Sequence, residues 1–391
     1  MHVKNDPLSK TVLFLLALCS GLGVANVYYL QPAISLVQQD FHISESTAGW
    51  LPTATQLSYA FGMLFLSPLG DVIERRKLIV VKSVLMILSL IIAFNAKSFI
   101  VLTSASIVVG VMGGIGQDFI PVAAHMATDK NRGKIVGTVT TGLLAGILLS
   151  RTLGGWVSEL YGWRAMQMLA VLLMCFVVVT TYKIIPKTEP SHSSSYIKLL
   201  SSLWMYWRKY KELRLSVVVQ GLLASTLGAY WSCLAMVLAS APFHLGAGVA
   251  GTFGIAGAAG ALAASSFGHL ADKKGALLPI RIGCVLVIIA FSFMALAPET
   301  LWGLALGAVV FDLGVQACLV SHQTLVSGID PIARGRLNGL LMTGAMIGMA
   351  VGAALGVFLW AHVGKVGLFG FGAVAGLLAL IGSLLHDKRQ L

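Results

Sequence analysis

From Leu215 to Ala271 the sequence contains no Asp, Glu, Lys or Arg. As one helix this run would reach ~85 Å, nearly three times the ~30 Å hydrocarbon core of a bilayer. It must fold back, and Pro242 with Gly246 and Gly248 supplies the break. Charges and Pro/Gly turns divide the rest in the same way. Spans are predicted near 11–31, 47–69, 78–96, 99–123, 134–157 and 164–182, then near 214–239, 247–270, 277–297, 300–325, 336–361 and 365–385. Twelve apolar runs imply an all-α membrane protein. Its 391 residues are 57% hydrophobic and 11% charged, against about 25% charged in a soluble domain.

The formal charge of +12 does not indicate a nucleic-acid partner, because the bases are strung between apolar runs with no basic domain to hold a polyanion. With both termini on one side, that side collects 23 bases, Lys82 among them, and the other side only Lys97, Arg164 and Lys365. The positive-inside rule makes the rich side cytoplasmic, with both termini on it. Residues 183–213 form the one long polar stretch. Trp204, Tyr206, Trp207 and Tyr210 there alternate with Arg208, Lys209 and Lys211, which reads as an interfacial helix against anionic headgroups. The domains are therefore 1–182, a linker 183–213, and 214–391. Cys19, Cys175, Cys233, Cys284 and Cys318 lie in apolar runs at irregular spacing and form neither a disulfide framework nor a metal pattern. Residues 1–30 lack a signal-peptidase pattern and are retained as the first span.

The second half repeats the first. Arg132-Gly133-Lys134 recurs as Arg334-Gly335-Arg336, and Gly142, Gly146, Ser150 and Gly154 align with Gly344, Gly348, Gly352 and Gly356. Two short charged turns also correspond: Leu69-Gly70-Asp71 followed by Arg75 and Arg76, and Gly268-His269-Leu270-Ala271-Asp272-Lys273-Lys274-Gly275. Paired six-helix units joined by a long linker are a known transporter layout. On these motifs the chain resembles the major facilitator superfamily, and within it the bacterial twelve-helix drug:proton-antiporter-like branch. The resemblance implies two pseudo-symmetric six-helix bundles in a bacterial inner membrane. It also implies that Asp71 and Asp272, with Arg75, Arg76, Gly268, Lys273 and Gly275, form gating loops that latch onto the starts of helices 11 and 5. Helix 5 resembles the antiporter motif through Gly142, Gly146, Ser150, Gly154 and Gly155, with Arg151 where the family has proline. Small residues at this spacing allow close helix approach, and the expected partner is helix 8, with Gly248, Gly251, Gly254, Gly257 and Gly260 every three residues. Ser106 stands where the family often carries a proton-linked arginine, so proton coupling needs another candidate.

An ionisable residue deep in a span is a functional candidate, since burying it costs about 2.5–3.5 kcal/mol even on the lenient insertion scale. Asp312 and Arg151 meet that description. They are read either as an independent proton carrier and a cation, or as a salt bridge. Asp118, nearer the cytoplasmic end of helix 4, is either a solvated acid or a third proton-coupling candidate. By the resemblance, helices 1, 4, 7 and 10 line a central cavity. The polar and aromatic candidates there are Asn26, Tyr29, Gln31, Gln117, Ser225, Tyr230 and Gln316, with Gln56 and Tyr59 from helix 2. No nucleotide loop, catalytic triad or metal-ligand set occurs, and neither cofactor nor enzymatic activity is expected. The expected function is alternating-access transport by a monomer, exporting a small, partly apolar solute against protons. The alternatives are proton- or sodium-coupled uptake and a non-transporting receptor on the same scaffold.

Overall fold

The computed structural model describes residues 9–128, 131–187, 196–257, 275–330 and 333–385. The first half of the chain forms α1 (Lys10–Ala25), the short α2 (Ile34–Phe41) and α3 (Glu45–Ala48), α4 (Trp50–Leu66), α5 (Arg75–Phe94), α6 (Phe99–Met112), α7 (Ile115–Met126), α8 (Arg132–Tyr161) and α9 (Trp163–Ile184). A separate helix, α10 (Tyr196–Lys209), precedes the second half. That half comprises α11 (Lys211–Ala239), α12 (Ala247–Gly257), α13 (Leu277–Leu296), α14 (Leu301–Ile329), α15 (Arg334–Val363) and α16 (Lys365–Leu384). No strand occurs among the described residues. The helices make twelve crossings, in which α6 and α7 form the fourth and α12 is the described part of the eighth.

The first crossing ends at Ala25 rather than near residue 31. There the Asn26 amide donates to the Leu22 and Gly23 carbonyls, and Tyr28 N–H bonds the Ala25 carbonyl. These short-range bonds replace the next helical turn with a series of turns. Other crossings exceed the apolar runs, since α8 continues to Tyr161 and α14 to Ile329. The fourth crossing breaks at Gly113 and Gly114, which cap its two segments.

Within each half the small-residue stripe serves one purpose. A side chain at Gly142 would meet the backbone of Ala17, one at Gly146 the backbone of Gly21, and one at Gly154 that of Tyr29. In the second half Gly348 meets Gly221, Gly352 meets Ser225 and Gly356 meets Ala229. The stripe on α8 thus seats α1, as the stripe on α15 seats α11, and the internal repeat is a repeat of this contact. This corrects the expectation that Gly142, Gly146 and Gly154 face helix 8. A helix has several faces, and spacing alone does not say which neighbour a small-residue face meets. Only Gly155, rotated off the stripe, reaches α12, where it lies against Ala247 and Gly251.

The halves meet along α4–α15 and α8–α12. At the end remote from α10 they are joined. Glu159 accepts from the Gly248 N–H at 2.5 Å, Trp156 Nε1 donates to Thr252 Oγ1 at 3.1 Å, and Trp360 Nε1 donates to Glu45 Oε2 at 2.8 Å. At the α10 end, called the linker face below, they part. No described atom lies within 4 Å of where a side chain would stand at Gly133, Gly137, Gly335 or Gly339, and a cleft of about 330 Å³ lies between Ser67 and Arg75 of one half and Arg336 and Gly339 of the other. The structure is closed at the far end and open at the linker face.

Candidate functional site

Between the closed end and the cleft, the Arg151 guanidinium lies across the two halves. Its Cζ is 4.8 Å from the Tyr28 ring centroid and 4.3 Å from that of Trp231, and its Nε donates to Gln31 Oε1 at 3.1 Å. Arg151 is only 4% exposed. Two aromatic faces and an amide solvate it in place of water, an arrangement that suits the planar, weakly hydrated guanidinium. Tyr28 and Gln31 come from the turns after α1, and Trp231 comes from α11 of the other half.

Trp231 connects this cation to the acid. At Gly257 of α12, the position a side chain would occupy is bordered by Asp312 Oδ2 and the Trp231 ring. Asp312 is 5% exposed, and its Oδ2 has no hydrogen-bond partner among the described residues. Arg151 and Asp312 form no ion pair with each other: the buried pair in the described structure is elsewhere. No direct salt bridge joins them in this state; Arg151 Nε is held by Gln31, and Nη1 lies 3.5 Å from the Ile147 carbonyl. Sequence reasoning missed Tyr28 and Trp231. Each is the immediate neighbour of a named candidate: Trp231 is one residue of helical rotation from Tyr230 on α11, and Tyr28 adjoins Tyr29 in the turns after α1.

A second polar cluster lies nearer the linker face. Lys82 Nζ and Asp118 Oδ2 are 2.5 Å apart, with side chains 4% and 8% exposed. Asp118 is thus not a solvated acid, and Lys82 is not a headgroup base. Both lie inside the first half, where α5 meets the first turn of α7, and the Gly113–Gly114 break provides the room: Lys82 Nζ borders Gly114. Beside them, Gln117 Nε2 donates to the Tyr59 hydroxyl at 2.5 Å. Gln56 is buried, with neither amide atom bonded among the described residues.

The other cavity candidates are engaged in packing. Asn26 caps α1 and touches Met174 Sδ, and the Tyr29 backbone receives Gly154. Ser225 bonds the Leu222 carbonyl of its own helix. The Tyr230 hydroxyl donates to the Leu304 carbonyl, and its ring packs in a cluster with Phe291 and Phe311. Gln316 is half-buried on α14, and Ser150 bonds the Ile147 carbonyl. Of the gating-loop residues, Gly268, Asp272 and Lys273 and the side chain of Asp71 lie outside the described residues. Asp71 ends the 3-10 turn Ser67–Asp71. Arg75 lines the cleft, Arg76 stacks on Tyr182 at 4.2 Å, and Gly275 has φ +84°, a value that favours glycine.

Two six-helix halves, joined at one end, parted at the other and holding buried charge along their seam, define an integral membrane transporter. The chain belongs to the Major Facilitator Superfamily, whose family model matches residues 13–328. It is 35% identical over 381 residues to an uncharacterized transporter, YgaY, of Escherichia coli O157:H7, covering 97% of each chain. It is 25% identical over 383 residues to the multidrug resistance protein MdtG of Proteus mirabilis, covering 93% of this chain and 92% of that one. Among solved structures, the nucleoside transporter NupG superposes with a TM-score of 0.76 at 13% identity, covering 95% of this chain and 98% of that one.

Proposed function

We propose that this transporter exports a small, partly apolar solute in exchange for protons, and that Asp312 is the residue whose protonation couples the two. The linker face is cytoplasmic in this reading, with both termini on that side of a bacterial inner membrane. The strong excess of bases there supports the orientation even after Lys82 is removed from the tally. The observation that carries the proposal is the buried Asp312 carboxylate at the seam, with Oδ2 unbonded and no base paired to it among the described residues. A permanent bare charge in such a site is costly, so a carboxylate placed there exchanges a proton or a cation instead. Trp231 lies against the cation of one half and beside the acid of the other, so rocking of the halves changes what surrounds both. The multidrug resistance relative supports the export direction.

Purified protein in proteoliposomes tests this, with solutes first selected by ligand-induced thermal shift. Asp312→Asn should retain exchange of substrate across the membrane at equal pH and lose accumulation driven by a pH gradient. Wild-type gradient-driven transport in Asp312→Asn would rule out the assignment, and accumulation with the opposite gradient sign would establish uptake.

A further inference from the structure

Beneath α10 two hollows meet. One is the cleft of about 330 Å³ between the halves, whose polar wall includes Ser67, Arg75 and Arg336 and has no acidic residue among its described lining. The other is an apolar groove of about 450 Å³ between α4, α15 and α10, lined by Phe65, Trp204, Trp207 and Ile347 among others. Leu64, Leu203 and Thr343 border both, so the two are contiguous. Each is within the ~300–1,000 Å³ range of ligand sites. Trp204 and Ile347 are 59% and 44% exposed, on a surface that meets lipid in a membrane protein. The groove thus opens sideways to the bilayer leaflet on the linker side, and the cleft opens to water.

We infer that groove and cleft together form an entry site for a single-chain anionic amphiphile, its apolar chain between α4 and α15 and its acidic head at Arg336. A wholly polar solute has nothing to bind in the groove, and a wholly apolar one has no reason to leave it for the cleft. The sign of the head follows from Arg336 and the lack of acids in the cleft's described lining. The described contacts of Arg336 are with Tyr206, whose hydroxyl accepts from Nη1 at 3.4 Å and whose ring centroid is 5.9 Å from Cζ. They position the guanidinium without neutralising it. α10 is fastened to both halves over this site, through Tyr206 to Arg336 and through the Tyr196 hydroxyl, which donates to the Phe65 carbonyl at 2.7 Å. The inference names a substrate class for the transport reading above and rests on its orientation.

The test uses the full chain in nanodiscs of zwitterionic lipid, with 12-bromododecyl phosphate as probe and the phosphocholine of the same brominated chain as control. Bromine quenches nearby tryptophan. The phosphate probe should quench saturably, and the Trp204→Phe/Trp207→Phe variant should lose most of that quenching. Arg336→Gln should weaken apparent affinity about tenfold, the scale of one charge-assisted contact, and Arg336→Lys should recover part of it. The phosphocholine should bind far more weakly. Equal quenching by both heads, non-saturable quenching, or no effect of Arg336→Gln in a variant with wild-type melting temperature would overturn the inference and indicate annular lipid alone. Binding needs no gradient, so quenching should persist in Asp312→Asn. Binding without proton-driven transport would defeat only the coupling proposal, and proton-driven transport of another solute without quenching would defeat only the entry site.

Discussion

The Glu159 carboxylate at the end of α8 accepts the backbone N–H of Gly248 in the first turn of α12, and this 2.5 Å contact joins the two halves at the far face. The exposed amides of a helix start carry partial positive charge, so a carboxylate suits that position. Gly246 leaves room for it, since any side chain there would meet Glu159. Glu159→Gln keeps the shape and removes the charge. It should cost the closed far face about 1 kcal/mol, about fivefold in population. Spin labels at the exposed Ser46 and His362, in a cysteine-free background, should show more of the long-distance population. An unchanged distance distribution would mean that the contact does not hold the gate.

The glycines of α8 should separate by function. Gly146→Leu pushes α1 from α8 within one half, so it should lower the melting temperature while leaving the Ser46–His362 distance little changed. Gly155→Leu acts at the contact between halves and should shift that distance while affecting stability less. Identical effects from both variants would contradict the two-faced assignment.

The Lys82–Asp118 pair is buried, so removing one member strands the other. Lys82→Met and Asp118→Leu should each destabilise by about 3–5 kcal/mol, and the double variant should recover much of that loss, since a buried pair contributes little beyond its own desolvation. Melting of the four proteins in one detergent completes the cycle. Simple additivity would show that the pair is not coupled.

Arg151 is held by ring faces as well as by hydrogen bonding. Arg151→Lys keeps the charge but not the planar group that stacks between Tyr28 and Trp231, so it should impair transport nearly as much as Arg151→Gln. Trp231→Leu should do likewise at normal expression. Wild-type initial rates in Arg151→Lys would show that point charge alone suffices.

The sequence by itself determined the twelve crossings, the internal repeat and the buried Asp312 and Arg151. Each follows from local chemistry: apolar run length against bilayer thickness, small residues in helical register, and the cost of a charge in a span. Tertiary structure decided which faces meet. The Gly142–Gly154 stripe is equally suited to any close partner, and only the assembled bundle shows that α1 takes it while Gly155 goes to α12. Tyr28 and Trp231 have no local signal to set them above Tyr29 and Tyr230: along α11 each residue turns the side chain by about 100°, the turns after α1 follow no helical register, and the direction of the seam is a property of twelve packed helices. Lys82 reads as one more base near a basic turn until the break at Gly113 and Gly114 brings Asp118 to it. Its partner lies on the next crossing, and a single run of sequence does not carry the distance between two crossings.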